Sequence, residues 1–168
     1  MHPEAWRWLE VQIQPLLTDA ARVADLGGAD VNGSPRALFS PGTNYLVIDN
    51  REAPNVGLVV DGTTWCPPAE WRASFDVALS TEVFEHVQHW RAMLYNLWLL
   101  LKPGGVCLVT CATDPRPPHS IVGEVPPPTG EWYGNVAAAD LRAPMDLLFR
   151  EVQMGGHPRG DLYARGVR

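Results

Sequence analysis

Three apolar runs in this chain carry an aspartate at or one residue before their end, and a glycine or asparagine follows each run. Val23-Ala24-Asp25-Leu26 leads into Gly27-Gly28, Ile48-Asp49 into Asn50, and Val60-Asp61 into Gly62. A carboxylate at a strand end can accept hydrogen bonds from paired hydroxyls or from an amino group. Glycine lets the backbone turn off a strand and pass close to a ligand with no Cβ in the way. In open α/β sheets, nucleotide-like ligands bind at such turns at the carboxyl ends of strands. A second group, Ser80, Thr81, Glu82, Glu85 and His86, follows a fourth apolar run. On a helical turn, residues at i, i+3 and i+4 share one face, so Glu82, Glu85 and His86 are expected to converge.

The elements that must position these groups follow from periodicity. Residues 3–20 read as a helix with Trp6, Leu9, Ile13, Leu16 and Leu17 on one face, Pro3 in its first turn and a kink or split at Pro15. Apolar strands are expected at 23–26, 44–49, 56–60, 75–80 and 106–112, with a short helix at most over 35–39. Trp90, Met93, Leu94, Leu97, Trp98 and Leu101 mark an amphipathic helix, stopped by a turn at Lys102-Pro103-Gly104-Gly105. Residues 113–134 form a loop with six prolines between Pro115 and Pro128, long enough to serve as a substrate cover. A helix over 137–149, interrupted by Pro144, precedes a hairpin of 150–154 and 161–167. Strands alternating with helices or loops predict a mostly parallel, doubly wound sheet.

Length and composition bound the rest. A chain of 168 residues with 46% hydrophobic and 19% charged residues is expected to fold as one domain over 1–168. A net charge of −6 argues against a nucleic-acid groove. No apolar run reaches membrane-span length and no signal peptide is visible, so a cytoplasmic location is expected. Cys66, Cys107 and Cys111 have no zinc spacing and read as reduced thiols.

Together, ADLGG at 24–28, VIDN at 47–50, VVDG at 59–62, FDVALSTEVFEHV at 75–87 and LKPGGVCLVT at 101–110 resemble the class I S-adenosylmethionine-dependent methyltransferases. The resemblance extends to the type 11-like branch that carries an EVxEHV block. It implies a Rossmann-like, seven-stranded, mostly parallel sheet with one antiparallel strand in a three-layer α/β/α sandwich. It also implies a cofactor site of Asp25, Gly27, Gly28, Asp49, Asn50, Asp61, Gly62, Ser80, Thr81 and Glu82. Asp49 would take the ribose diol, Asp61 and Gly62 the adenine, and 80–82 would lie beside the transferred methyl group. The family's glycine loop, D/E-x-G-x-G-x-G, is altered here, with Ala29 where a glycine is expected. A dehydrogenase G-x-G-x-x-G would need glycines where Ala29 and Asn32 stand.

The implied reaction is methyl transfer to an oxygen or nitrogen of a small-molecule acceptor, with His86, Glu82 and His119 as catalytic candidates. His86 would act as a general base with a pKa near working pH. Residues 114–135 and the first helix would form the acceptor pocket, with His119, Trp132 and Tyr133 foremost. An alternative follows from small-RNA 2′-O- and catechol O-methyltransferases, whose E-x-x-E-H block holds a divalent metal. Here Glu82, Glu85, His86 and His119 would be the ligands, with His89 as a further candidate. A methyltransferase-like protein that binds without catalysis is the remaining reading, and oligomeric state is left open.

Overall fold

A computed structural model describes residues 2–18 and 20–168. Helix α1 spans Pro3–Ile13 and passes into a single 3₁₀ turn at Gln14–Leu16. Proline lacks the N–H that an α-helix needs at that point, so Pro15 ends the regular helix earlier than the expected residue 20. Asp19, within that expected helix, lies outside the described residues, as does Met1.

Strands β1 (Arg22–Leu26), β2 (Asn44–Asp49), β3 (Leu58–Val59) and β4 (Phe75–Thr81) follow, with only a 3₁₀ turn at Pro35–Leu38 as helix between the first two. Helix α2 (Trp90–Leu100) runs directly into β5 (Leu101–Ala112), and α3 (Ala138–Leu148) precedes β6 (Arg150–His157) and β7 (Asp161–Val167). The seven strands form one sheet in the order β3-β2-β1-β4-β5-β7-β6. β7 runs antiparallel to both of its neighbours, β5 and β6, and the other pairings are parallel. This is the expected architecture.

Side chains alternate between two cores. Leu9 and Ile13 of α1 pack on Val23, Val77, Leu79, Val106 and Leu108 on one face. Leu94, Leu97 and Leu100 of α2, with Leu141 and Met145 of α3, cover Ala24, Leu26, Ala78, Cys107 and Val109 on the other. The period of two along each strand produces this split, and both faces of the parallel strands are thereby buried. Cys107 and Cys111 are buried and free, and Cys66 is exposed and free.

Several elements differ from expectation. β3 is shorter than 56–60 because it lies at the edge of the sheet with β2 as its one partner. Single bonds from Gly57 N–H to the Val47 carbonyl and from Val60 N–H to the Asp49 carbonyl flank its two paired residues. Lys102–Gly105 is a bulge within β5, since Leu101 pairs with Phe75 and the next registered pair is Val106 with Val77. Gly104, at φ +84°, donates its N–H to the Arg168 carbonyl, while Arg168 N–H bonds Gly105. α3 continues through Pro144, and Asp140, whose carbonyl would have accepted the missing N–H, is exposed. On β6, one extra residue lies between the pairs Arg150 with Val167 and Gln153 with Arg165, and Glu151 takes φ +52°. Among the described residues, no helix is long and apolar enough to cross a membrane.

Candidate functional site

The carboxyl ends of β1 to β4 surround a cavity of about 370 Å³. Of the expected residues, Gly27, Asp49, Asn50, Asp61, Gly62, Thr81 and Glu82 line it, and Ala29, Arg51, Val83 and His86 join them. Gly27 has φ +85°, and a Cβ there would lie 2.6 Å from a Val83 methyl carbon. Its glycine therefore serves two needs at once, a left-handed turn and close approach of the segment after β4. Asp49 is held from below, with Ala29 N–H donating to Oδ2 at 3.0 Å and Arg51 N–H to Oδ1 at 3.0 Å. Asp61 receives both the hydroxyl (2.7 Å) and the N–H (2.8 Å) of Thr63 on Oδ1, and these bonds hold its carboxyl below the usual carboxylate range. Buried Asn96 fixes the neighbouring turn by donating to the carbonyls of Gly62 and Trp65. Nothing in its helical position flags that role in sequence.

Asp25, Gly28 and Ser80 stand behind the wall. Asp25 is fully buried and accepts the Tyr45 hydroxyl at 2.7 Å. Burial raises its carboxyl to about 7, which the Tyr45 bond opposes and the nearby Asp49 charge reinforces. A Cβ on Gly28 would meet Asp25 Cγ at 2.4 Å, so this glycine accommodates the Asp25 side chain. Ser80 is buried and donates its hydroxyl to the Leu26 carbonyl at 2.7 Å, tying β4 to the end of β1.

The expected convergence of Glu82, Glu85 and His86 is corrected. β4 continues to Thr81, Glu82 turns off it at φ +57°, and only Phe84–His86 form a 3₁₀ turn. The helical i, i+3, i+4 relation therefore does not hold. The Glu82 carboxylate points to Thr110, whose hydroxyl donates at 2.9 Å, and to Arg116 at 3.4 Å. The group that does converge is Glu85, His86 and His119, with ligand atoms within 4.8 Å of one another. Neither Glu85 oxygen has a hydrogen-bond partner of ordinary geometry, and the same is true of His86 Nδ1. Burial, with the Glu82 charge adding to it, pushes the Glu85 carboxyl up to about 8, although backbone N–H groups of Glu85 and Ala112 act the other way. Burial, followed by His119, Arg51 and Arg116, pushes His86 down to about 4. This direction leaves His86 neutral, with its lone pair free of a proton, and makes it a weaker base than the expected one tuned near neutrality.

The long loop closes one side. His86, His119 and Tyr133 form an aromatic trio with ring centroids 4.8 to 5.5 Å apart. Ile121 reaches the cavity, while Trp132 is half exposed. Gly134 N–H bonds the Glu85 carbonyl and Val136 N–H bonds that of Ala112, so the loop is strapped to the sheet. His89 lines the cavity outside the Glu85, His86, His119 cluster.

A family model for the methyltransferase domain matches residues 13–155. No curated protein matches the chain by sequence. Among solved structures, the chain is similar to the 1,6-didemethyltoxoflavin-N1-methyltransferase of Burkholderia thailandensis, solved with 1,6-didemethyltoxoflavin and S-adenosylhomocysteine bound. That match has 16% identity and a TM-score of 0.66, and covers 98% of this chain and 78% of the other. An S-adenosylmethionine-dependent methyltransferase from Mesorhizobium loti matches with 14% identity and a TM-score of 0.65, covering 97% and 98%. The YcgJ protein of Bacillus subtilis matches with 11% identity and a TM-score of 0.70, covering 99% of each chain.

Proposed function

Because the chain belongs to the methyltransferase-domain family and has the class I fold of S-adenosylmethionine-dependent methyltransferases, we propose that it transfers a methyl group from S-adenosylmethionine to an oxygen or nitrogen of a small molecule. The observation that carries this reading is the ring of Gly27, Asp49, Asp61, Gly62 and Thr81 around a single cavity at the carboxyl ends of β1 to β4. Asp49 has its carboxylate already oriented by two backbone N–H groups, which suits it to the cofactor's ribose diol. Anionic Asp61 suits the adenine amino group. Thr81, Glu82 and Val83 leave the sheet where the methyl group would sit.

In the transfer, a lone pair on the acceptor attacks the methyl carbon as the carbon–sulfur bond breaks, and S-adenosylhomocysteine leaves as a neutral thioether. The acceptor's proton passes to a neighbouring lone pair or to water. Most of the acceleration comes from holding nucleophile and methyl group in line. His86 and Ile121 line the cavity, and the His119 and Tyr133 rings pack against His86 from behind, an aromatic setting that suits a planar acceptor; the similar N1-methyltransferase of Burkholderia thailandensis was solved with 1,6-didemethyltoxoflavin bound. Binding of S-adenosylhomocysteine by titration calorimetry, then methylation of hydroxylated and nitrogenous heterocycles followed by mass, tests the proposal. A wild-type protein that binds neither S-adenosylmethionine nor S-adenosylhomocysteine would overturn it.

The Glu85, His86 and His119 group supports a second reading, a metal-assisted O-methyltransferase. The donors fit: one carboxylate with both oxygens unpartnered, one neutral imidazole, and a second imidazole within reach. A cation would reverse the penalty of ionising buried Glu85. Bound there, a divalent ion would supply orientation and acidification of an acceptor hydroxyl.

A further inference from the structure

Arg116 has no role in either reading above, yet its side chain is only 6% exposed. Its Nη1 donates to Glu82 Oε2 at 3.4 Å and its Nη2 to the fully buried Asp161 at the start of β7. Its backbone N–H bonds the Thr113 carbonyl, and its carbonyl accepts from Asn135. Gly160, at φ +96°, admits this turn of chain, since a Cβ there would lie 2.5 Å from the Arg116 nitrogen. Asp161 also meets His2 Nδ1 at 3.4 Å and His157 Nδ1 at 3.9 Å. One guanidinium thus joins the proline-rich loop, the β6–β7 corner and the turn after β4.

A buried ion pair is often no more stabilising than apolar packing of the same volume, so stability alone does not account for it. Its geometry acts on Glu82. That residue sits at φ +57°, a conformation unfavourable for a side chain with a Cβ. Three contacts hold it there: its N–H to the Thr110 carbonyl, the Thr110 hydroxyl to Oε1, and Arg116 to Oε2. Glu82 lines the cavity. The cofactor carries positive charge on its sulfonium and its amine, and a carboxylate fixed on the wall favours both.

We propose that Arg116 is a positioning residue for cofactor binding, acting through Glu82 by locking its carboxylate against the cavity wall. The proposal rests on the methyltransferase reading. The experiment is a double-mutant cycle on S-adenosylmethionine affinity, measured by calorimetry, with thermal unfolding recorded for every variant. Arg116→Met and Glu82→Gln should each weaken binding about tenfold, and the double variant should bind no worse than Glu82→Gln alone. Should Arg116→Met leave Asp161 unpaired and fail to fold, the same cycle is run on an Asp161→Asn background. A purely structural Arg116 would lower the unfolding temperature and leave affinity per folded molecule unchanged. That result, or losses that multiply in the double variant, overturns the proposal. The wild-type titration separately reads the methyltransferase assignment, so its failure is distinguishable from failure of the cycle.

Discussion

Replacing Asp25 by asparagine should flatten the protein's pH–stability profile. The buried carboxyl moves from 3.8 to about 7 on folding, chiefly because burial disfavours its charge. A carboxyl whose pKa is raised in the folded state contributes stability that is full below its unfolded value and is lost as pH rises through its folded value. The loss therefore begins near pH 4 and is complete just above pH 7. Over the whole window it amounts to about 4 kcal/mol, and to roughly 2–3 kcal/mol between pH 5 and pH 8. Asparagine keeps the shape and the carbonyl that accepts the Tyr45 hydroxyl, but it has no charge to bury. Urea unfolding of both proteins at pH 5, 6, 7 and 8 reads the difference, and every other titrating group is common to both. The variant should gain on wild type by about 2–3 kcal/mol across that range. Parallel profiles would show that Asp25 does not titrate in this window and would refute the reasoning.

The remaining predictions concern the cavity. Asp49→Ala should weaken S-adenosylmethionine binding by about 1.5–3 kcal/mol, through loss of a charge-assisted acceptor; unchanged calorimetric affinity removes Asp49 from the site. Gly27→Ala should cost about 1–3 kcal/mol of stability and impair S-adenosylhomocysteine binding. Adding Val83→Ala should restore only part of this, because the contact is relieved and the backbone angle is not. His86→Ala should slow methyl transfer per folded molecule, and a variant that merely unfolds more readily marks His86 as structural. Exhaustive chelation should abolish activity if Glu85, His86 and His119 hold a metal, whereas full activity with no metal in elemental analysis removes that reading.

The sheet was legible in the sequence because parallel strands buried on both faces read as unbroken apolar runs, and because their acids fall where the runs stop. Asp49 and Asp61, both of which line the cavity, are legible that way. Local spacing misled where a distant partner decides the backbone. Glu82 reads as sharing a helical face with Glu85 and His86, but its bonds to Thr110 and Arg116 hold it in a left-handed turn just past the end of β4. Lys102–Gly105 read as a turn because its bonds to Arg168 lie far along the chain. Gly28 reads as a ligand-facing glycine, whereas the group it accommodates is the carboxyl of Asp25, three residues back in the same ADLGG motif and turned into the core. Arg116 sits among prolines and carries no pattern at all. Of the segment expected as a substrate cover, Ile121 reaches the cavity, while Arg116 and Ser120 are buried and anchor it.

The margins of the sheet bear on how copies of this protein meet one another. A sheet edge presents unpaired amides to any passing strand and is a template for aggregation. At one margin, β3 offers two residues of regular strand, too few to seed an intermolecular ladder. At the other, β6 has an extra residue near Arg150, a left-handed Glu151 and charged side chains on both. An incoming strand would lose its hydrogen-bond phase at that extra residue and would have to desolvate those charges. Strand addition is thus hindered at β3 by its shortness and at the Arg150 end of β6 by the extra residue and its charges, while Gln153–His157, in unbroken register with β7, is the stretch of margin left in phase for a partner.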